Sequence, residues 1–542
     1  MKKSYKSILA LPLLAMSIAT LSSCGSNRNN YAYDLDFNVD VKGTTIQMWA
    51  GFGSEINGVL GSLFDEFERL TGVKVEYESK NSYADCLKAV NLSATSGDYP
   101  HVVVGYPDHF ASYVKSDIIV RLDYYFENDV HNPTFEPEGE RFKLSDFYSD
   151  YVVENQSIEF DSNGNPYTLG VPFNKSTEVL VYNKTFFDYF ASKDDLKTQI
   201  FIPSTYAEVE TVGQNILKFL KDNKVYGHVL NDDGTVTDNA KQDAKTVIDL
   251  KDISDPEDYK DKTARFKPIS YDSRANLFIS NVRQNGGTYT VFDAQANHGY
   301  LAFDSEETRT GLTFLKKLYD ENVLGIPTDW GEAKYSSNPF KASKLVMSIG
   351  SSAGVANEAA SGNKFEIGCA PVPYVSADKK CVISQGANLA LLDTGSREQR
   401  VAAWQLIKFL SKYANGYFCS QTGYFPSCTY AEVAGSNGVS GMWAHADEKD
   451  DFEDADYATW LSEAVTSFSA ADRIRAAAAN TNLNKYVNKA EGWLKFVDPP
   501  FAGSADIRSE VETVIPLIFT GKLTVDGAIK EMYAKLKDYV RK

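Results

Sequence analysis

Residues 44–79 read TTIQMWAGFGSEINGVLGSLFDEFERLTGVKVEYES, which is a strand, a helix and a second strand in one run. TTIQMWA alternates as a strand does. Ser54 then reads as a helix cap, and apolar side chains recur at Ile56, Val59, Leu60, Leu63, Phe64, Phe67 and Leu70. That three–four spacing lays one apolar stripe along a helix. Thr71-Gly72 stops the helix, and VKVEYES resumes as a strand.

The rhythm continues outward from this unit. A second helix is expected from about Tyr83 to Thr95, and Pro100 introduces the strand HVVVGY; IIVRL, YTLGVPF and VLVYN follow as further strands. Strands alternating with helices predict an α/β protein whose parallel sheet is covered by helices. Ligands of such folds lie beyond the carboxyl ends of the strands. The stretches to watch are therefore Trp49 to Gly53, Gly105 to Asp108 and the turn after Phe173.

Composition bounds the function. A chain of 542 residues, 43% hydrophobic and 24% charged, has ordinary globular composition and enough length for a large core. Its formal charge of −18 argues against a nucleic-acid partner and against a polybasic membrane face.

The first 23 residues read as an export signal. Lys2, Lys3 and Lys6 precede a short apolar stretch from Ile8 to Leu21, too short to span a membrane comfortably. The segment ends Leu21-Ser22-Ser23-Cys24, which looks like a bacterial lipobox. Cleavage there leaves Cys24 first, carrying acyl chains that anchor the protein to a membrane face outside the cytoplasm. Residues 24–42 are expected to be a polar tether. Losing three lysines takes the net charge to −21.

Five further cysteines cannot all pair; Cys369 with Cys381, or Cys419 with Cys428, would close short loops in an oxidising space, and Cys86 stands apart. Neither cysteine spacing nor the six scattered histidines suggests a metal site, and no cofactor motif is present. Between about 222 and 267 the periodicity fades into an acid-rich stretch, expected to be a surface insertion. The acidic run from Asp447 reads as a solvated loop without EF-hand spacing. Near the C-terminus, Ile507, Val511, Val514 and Ile518 line one helix, and Thr524 caps the last one.

One motif points to catalysis. GSSAG at 350–354 matches a nucleophile elbow with Ser352 at its centre, between a strand-like and a helix-like segment. An elbow needs a downstream histidine, and the only one is His445, inside the acidic run. Glycines and serines at such a turn also bind hydroxylated or anionic ligands. GFGSEI lacks the third glycine of a dinucleotide fingerprint and reads as a tight turn.

Six segments, in order, resemble the substrate-binding lipoproteins of ABC importers in the large sugar-type group. They are residues 44–79 quoted above, PFNKSTEVLVYNKTFFD, SIGSSAGVAN, QGANLALL, TGYFPSCTYAEV and ADIRSEVETVIPLIFTGKLTVDGAIKEM. The resemblance is greatest to the glycerol-3-phosphate-binding branch. It implies a two-lobed periplasmic-binding-protein-like fold of type II, with the ligand cleft between lobes. One lobe would hold 43–172 and 383–428, the other 173–382 and 429–542. It also implies hinge closure around a small solute that is passed to ABC permease subunits.

Residue by residue, the resemblance places Tyr83, Ser176, Ser352, Gly386 and Tyr424 on ligand-contacting positions, and Arg508 on the arginine that grips phosphate. Where the branch has Glu, the GYPD loop either supplies the acid through Asp108 or loses it at Pro107. In SYDSRANLF, Tyr271 and Arg274 stand where the branch has two tryptophans, a change that suits a more anionic ligand. Each position also has a plain structural reading: Tyr83 opening its helix, Tyr424 packed in a loop, Arg508 pairing with Glu510 or Glu512. Hydroxyls, an amide and aromatic faces suit a sugar or phosphorylated polyol. The rival reading is a surface lipoprotein hydrolase using Ser352 or an acid pair, and a weaker third is an adhesin on the same fold.

Overall fold

The structure is a computed structural model that describes residues 30–241, 243–255, 264–293, 295–296, 298–359, 365–428, 474–475, 477–478, 481–487 and 489–541. The leader with Cys24, the acidic run from Asp447, His445 and residues 256–263 of the expected insertion lie outside the described residues.

The opening unit forms the strand Thr45–Ala50, the helix Ser54–Thr71 and the strand Lys74–Ser79, and the two strands pair in parallel. Gly72 ends the helix in the left-handed region at φ 72°. The cap differs from expectation. Gly53 occupies the cap position without a side-chain bond, and Ser54 is the first helical residue. The turn is held instead by Asn57, whose Nδ2 donates to the Phe52 carbonyl at 3.2 Å.

Two five-stranded sheets organise the chain. In the first, the order is Lys74–Ser79, Thr45–Ala50, Val102–Gly105, Gln385–Leu391, Val171–Ser176. In the second it is Leu324–Gly325, Ile269–Tyr271, Met347–Ser351, Glu178–Asn183, Ile367–Ala370. Both follow one pattern: three strands pair in parallel, the fourth is antiparallel to them, and the fifth is antiparallel to the fourth. Each sheet has its own core. Phe67, Tyr125, Phe173, Trp404 and Phe418 belong to the first, while Phe186, Phe278, Leu315, Ile515 and Met532 belong to the second. Burying each such side chain contributes about 1.5–3 kcal/mol. The architecture is a mixed α/β, two-lobed one.

The chain passes from the first sheet to the second at Ser176-Thr177-Glu178 and returns to the first at Ile383-Ser384-Gln385, leaving the strand Cys381–Ile383 that pairs with Leu494–Phe496. Thr177 is gripped on both backbone groups: Ser352 N donates to its carbonyl at 2.8 Å, and its own N–H donates to Ser352 Oγ at 3.2 Å. Gly386 takes φ +92°, and a Cβ there would lie 1.9 Å from the Asn174 carbonyl oxygen, so only glycine fits this close strand approach.

Three expectations change. Residues 33–41, taken as tether, lie on the first core with alternating burial: Phe37 and Val41 are buried, Tyr33, Leu35 and Val39 pack against them, and Asp34, Asp36, Asn38 and Asp40 face water. The sequence YDLDFNVDV carries that period-two alternation openly. The 222–267 stretch is not wholly a surface insertion. Its strands Val229–Asn231, Val236–Thr237 and Thr246–Asp249 form a small sheet, and Leu230, Val247, Ile248 and Leu250 sink into the second core. Lastly, none of the five cysteines from Cys86 to Cys428 forms a disulfide. No described helix is long and apolar enough to cross a membrane.

Candidate functional site

The helices that follow the strands Lys74–Ser79 and Val102–Gly105 in sequence both begin at one cleft. Ser82 caps the Tyr83–Ser93 helix by accepting from Asp85 N at 3.1 Å. Gly51 lets this helix start come close, since a Cβ on it would meet Ser82 C at 2.2 Å. Pro107 opens the helix Pro107–Lys115, its fixed φ suiting a first turn. Against these stands the start of the Ser504–Phe519 helix, with Tyr289, Thr290 and the segment 497–500 beside it and the return crossover 383–386 at the base. The cleft encloses about 390 Å³. Tyr83, Asp108, Gly386 and Arg508 all line it.

The first lobe contributes aromatic faces. Tyr83 and Tyr106 lie with ring centroids 4.8 Å apart, and Phe52 backs Tyr83 at 5.7 Å. Asn174 Nδ2 donates to the Tyr83 hydroxyl at 2.9 Å. Tyr424, stacked on Phe418 at 5.9 Å, reaches both Tyr83 and Asn174 with its hydroxyl. Burial raises the phenols of Tyr83, Tyr106 and Tyr424, so all three are neutral hydroxyls at neutral pH.

The second lobe contributes charge. Arg508 does not pair with the acids of its own helix: Glu512 takes Arg274 at 2.7 Å, and Glu510 takes Lys535 at 2.6 Å. Its guanidinium donates instead to Asn276 Oδ1. Asp498 accepts from Arg283 at 3.1 and 3.2 Å. Burial raises the Asp498 carboxyl, although Arg283 and Arg508 both oppose that shift. The unpartnered hydroxyls of buried Tyr289 and Thr290 complete this side.

At the base, Glu154 accepts from Lys175 Nζ at 2.7 Å and from Ser384 Oγ at 2.6 Å. Lys175 also donates to the Gly386 carbonyl at 3.4 Å. This ties the first lobe's Ser149–Asn155 helix to both crossovers.

Five expected contacts stand outside the cleft wall, Tyr424 among them, bonded to Tyr83. Tyr271 is 2% exposed, with its hydroxyl donated to Glu178. Arg274 is held by Glu512. Ser176 and Ser352 are buried at the crossover, where Ser351 Oγ donates to Ser176 Oγ at 3.3 Å and Ser352 grips Thr177. The Ser352 hydroxyl therefore accepts a backbone N–H, and no described histidine or carboxylate is bonded to it. An elbow nucleophile needs the opposite arrangement, exposed and facing a base. Among the described residues no cluster of three or more metal-ligating side chains occurs.

Sequence reading missed Tyr289, Asp498 and Asn276. Tyr289 and Asp498 sit in segments without strong periodicity, and only the three-dimensional path brings them to the cleft. Asn276 lay within SYDSRANLF, two residues past the arginine singled out there.

Two lobes, two crossovers gripped by side chains and a polar, tyrosine-rich cleft between them make up the architecture of a solute-binding protein. The profile of bacterial extracellular solute-binding proteins matches residues 62–437, and the chain belongs to that family. A comparison with curated sequences finds no match. Among solved structures, UgpB from Mycobacterium tuberculosis in complex with glycerophosphocholine is 16% identical, with a TM-score of 0.61 over 91% of this chain and 98% of that one. The GacH receptor of Streptomyces glaucescens, solved unliganded and with acarbose, is 14% identical, with a TM-score of 0.59 over 92% and 98%. The maltodextrin-binding domain MalE from Bdellovibrio bacteriovorus, bound to maltotriose, is 14% identical, with a TM-score of 0.57 over 91% and 99%. At these identities the likeness is one of fold.

Proposed function

We propose that this protein is the non-catalytic receptor of an ABC importer for a sugar or phosphorylated polyol, and that it captures its solute by hinge closure and delivers it to the permease. The single observation that carries the reading is the placement of Tyr83 and Arg508 on facing walls of one cleft between two separately cored lobes. Tyr83, with Tyr424 bonded to it, and Asp108 would orient hydroxyls from the first lobe, Gly386 would offer its backbone at the base, and Arg508 would fork two bonds to a phosphate, carboxylate or vicinal diol. Ser176 and Ser352 would serve the crossover, while Tyr271 and Arg274 would act from behind the wall. The lobes would divide as 43–176 with 385–428 and 177–384 with 429–542, a few residues past the expected boundary at 172 because Val171–Ser176 is a strand of the first sheet, and Cys24 would carry the lipid anchor. Ser352, with its hydroxyl spent on Thr177, supports binding over hydrolysis.

Thermal-shift screening tests the reading. The panel spans neutral sugars, sugar phosphates and glycerol phosphodiesters, with maltotriose, acarbose and glycerophosphocholine from the structural neighbours as first probes. A true solute raises the melting temperature saturably, by a few kcal/mol of linkage at high excess, with no product formed. Flat melting curves across the panel together with release of a cleaved product would overturn the proposal.

A further inference from the structure

The cleft arginine is held by an amide whose own orientation is fixed from the crossover strand. Glu178 is the first residue of the strand Glu178–Asn183, directly after Ser176-Thr177, and is 1% exposed. Its Oε1 accepts from Asn276 Nδ2 at 2.6 Å, and its Oε2 accepts from the Tyr271 hydroxyl. Asn276, fully buried on the helix Arg274–Gln284, turns its Oδ1 to Arg508. An amide has one donor end and one acceptor end. A guanidinium can only donate, and a carboxylate oxygen can only accept, so the two neighbours of Asn276 agree on a single orientation.

We infer that Glu178 and Asn276 are positioning residues for Arg508: the carboxylate pins the amide nitrogen, and the amide oxygen then holds the guanidinium at the cleft. Glu512 and Glu510, the acids one turn on from Arg508 along its own helix, do not compete, because Arg274 and Lys535 occupy them. This chain makes the cleft's guanidinium answer to the strand that leaves the crossover. It gives SYDSRANLF a specific use, through Asn276 rather than Tyr271 or Arg274. The inference deepens the solute-binding reading and rests on it only for the statement that Arg508 meets solute.

Selective labelling of Arg508 tests it in the whole protein. Phenylglyoxal modification is followed by peptide mass spectrometry, with Arg541, whose side chain is 69% exposed, as the internal reference. Glu178→Met removes the acceptor and Asn276→Leu removes the link, so each is expected to raise the Arg508 labelling rate about tenfold. Glu178→Gln still offers an oxygen to Asn276, so it stays within about twofold of the parent. Tyr271→Phe removes the other partner of the carboxylate and also leaves the rate unchanged. A general loosening of the buried cluster would make Tyr271→Phe behave like Glu178→Met, and that result overturns the inference. If Glu178→Met does not fold, the contrast between Asn276→Leu and Glu178→Gln decides alone.

A parallel arm asks whether glycerol-3-phosphate or maltotriose protects Arg508 from labelling. Protection without the variant pattern removes the positioning role and keeps the solute reading. The variant pattern without protection keeps the positioning role and removes Arg508 from the solute reading.

Discussion

The two lobes repeat one sheet pattern yet hold their cleft residues by different means. In the first lobe, Tyr83 and Asp108 sit at the starts of helices that directly follow sheet strands, so backbone geometry brings them to the cleft and nearby groups such as Asn174 only trim the Tyr83 hydroxyl. In the second lobe, Arg508 depends on a string of side chains, Asn276 and Glu178, contributed by segments more than two hundred residues away. The first arrangement tolerates changes in neighbouring side chains. The second transmits them.

The same contrast extends to buried charge. Lys408 of the first lobe, 1% exposed, meets Asp129 at 2.8 and 3.1 Å and also Glu136. Lys267 of the second lobe, fully buried, meets a single carboxylate, Asp329 at 3.0 Å, together with the Leu324 carbonyl at 2.9 Å and the face of the Tyr319 ring at 3.4 Å. Removing one partner of a buried pair typically costs about 3–5 kcal/mol, because it strands the other charge. Lys408→Met strands two carboxylates and is expected to reach or exceed that range, whereas Lys267→Met strands one and falls at its lower end. Chemical denaturation of both variants checks the ranking, and equal losses would erase this difference between the lobes.

Affinity sharpens the comparison next. Arg508→Ala is expected to weaken solute binding about a hundredfold, the loss of roughly two hydrogen bonds from a charged group. Tyr83→Phe keeps the ring and removes one neutral hydroxyl, and should cost about fivefold. Isothermal titration measures both. A Tyr83→Phe loss equal to that of Arg508→Ala would show the first lobe to be as exacting as the second.

The smallest effect expected concerns pH. Glu358, 6% exposed, accepts only from Ser348 Oγ at 3.3 Å, and burial pushes its carboxyl up to about 8, with Asp272 adding to the shift and Lys341 opposing it. Its folded pKa lies above the unfolded value, so the stability this group supplies is complete below about pH 4.5 and is lost as pH rises through about 8. Glu358→Gln should therefore raise the melting temperature at pH 9, by about 3 °C, and change little at pH 5. A melting temperature that moves equally at both pH values would contradict this.

Much of this was legible in residues 44–79, where the three–four spacing and Gly72 fix strand, helix and strand without help from the rest of the chain. The helix cap was misplaced by one residue because Ser54 and Gly53 are both good starters, and the close approach of Ser82 to Gly51 decides the turn. The alternation YDLDFNVDV was equally readable, but its position just after a leader made it look like tether. At the cleft, Tyr83, Asp108, Gly386 and Arg508 came from family resemblance, and they line one cleft from its two walls and base. Tyr271 carried no sign that its hydroxyl would turn inward to Glu178, since that depends on a carboxylate 93 residues away. Long-range side-chain pairing leaves no period in a sequence.

The double grip of Ser352 on Thr177 has a mechanical consequence. With that residue locked to the second half and Lys175 locked to Glu154 of the first, the torsional slack between the halves shrinks, on the outgoing strand, to little more than Ser176. So short a pivot favours a swing about one axis over a loose wobble, and it makes the bend a property of two or three bonds.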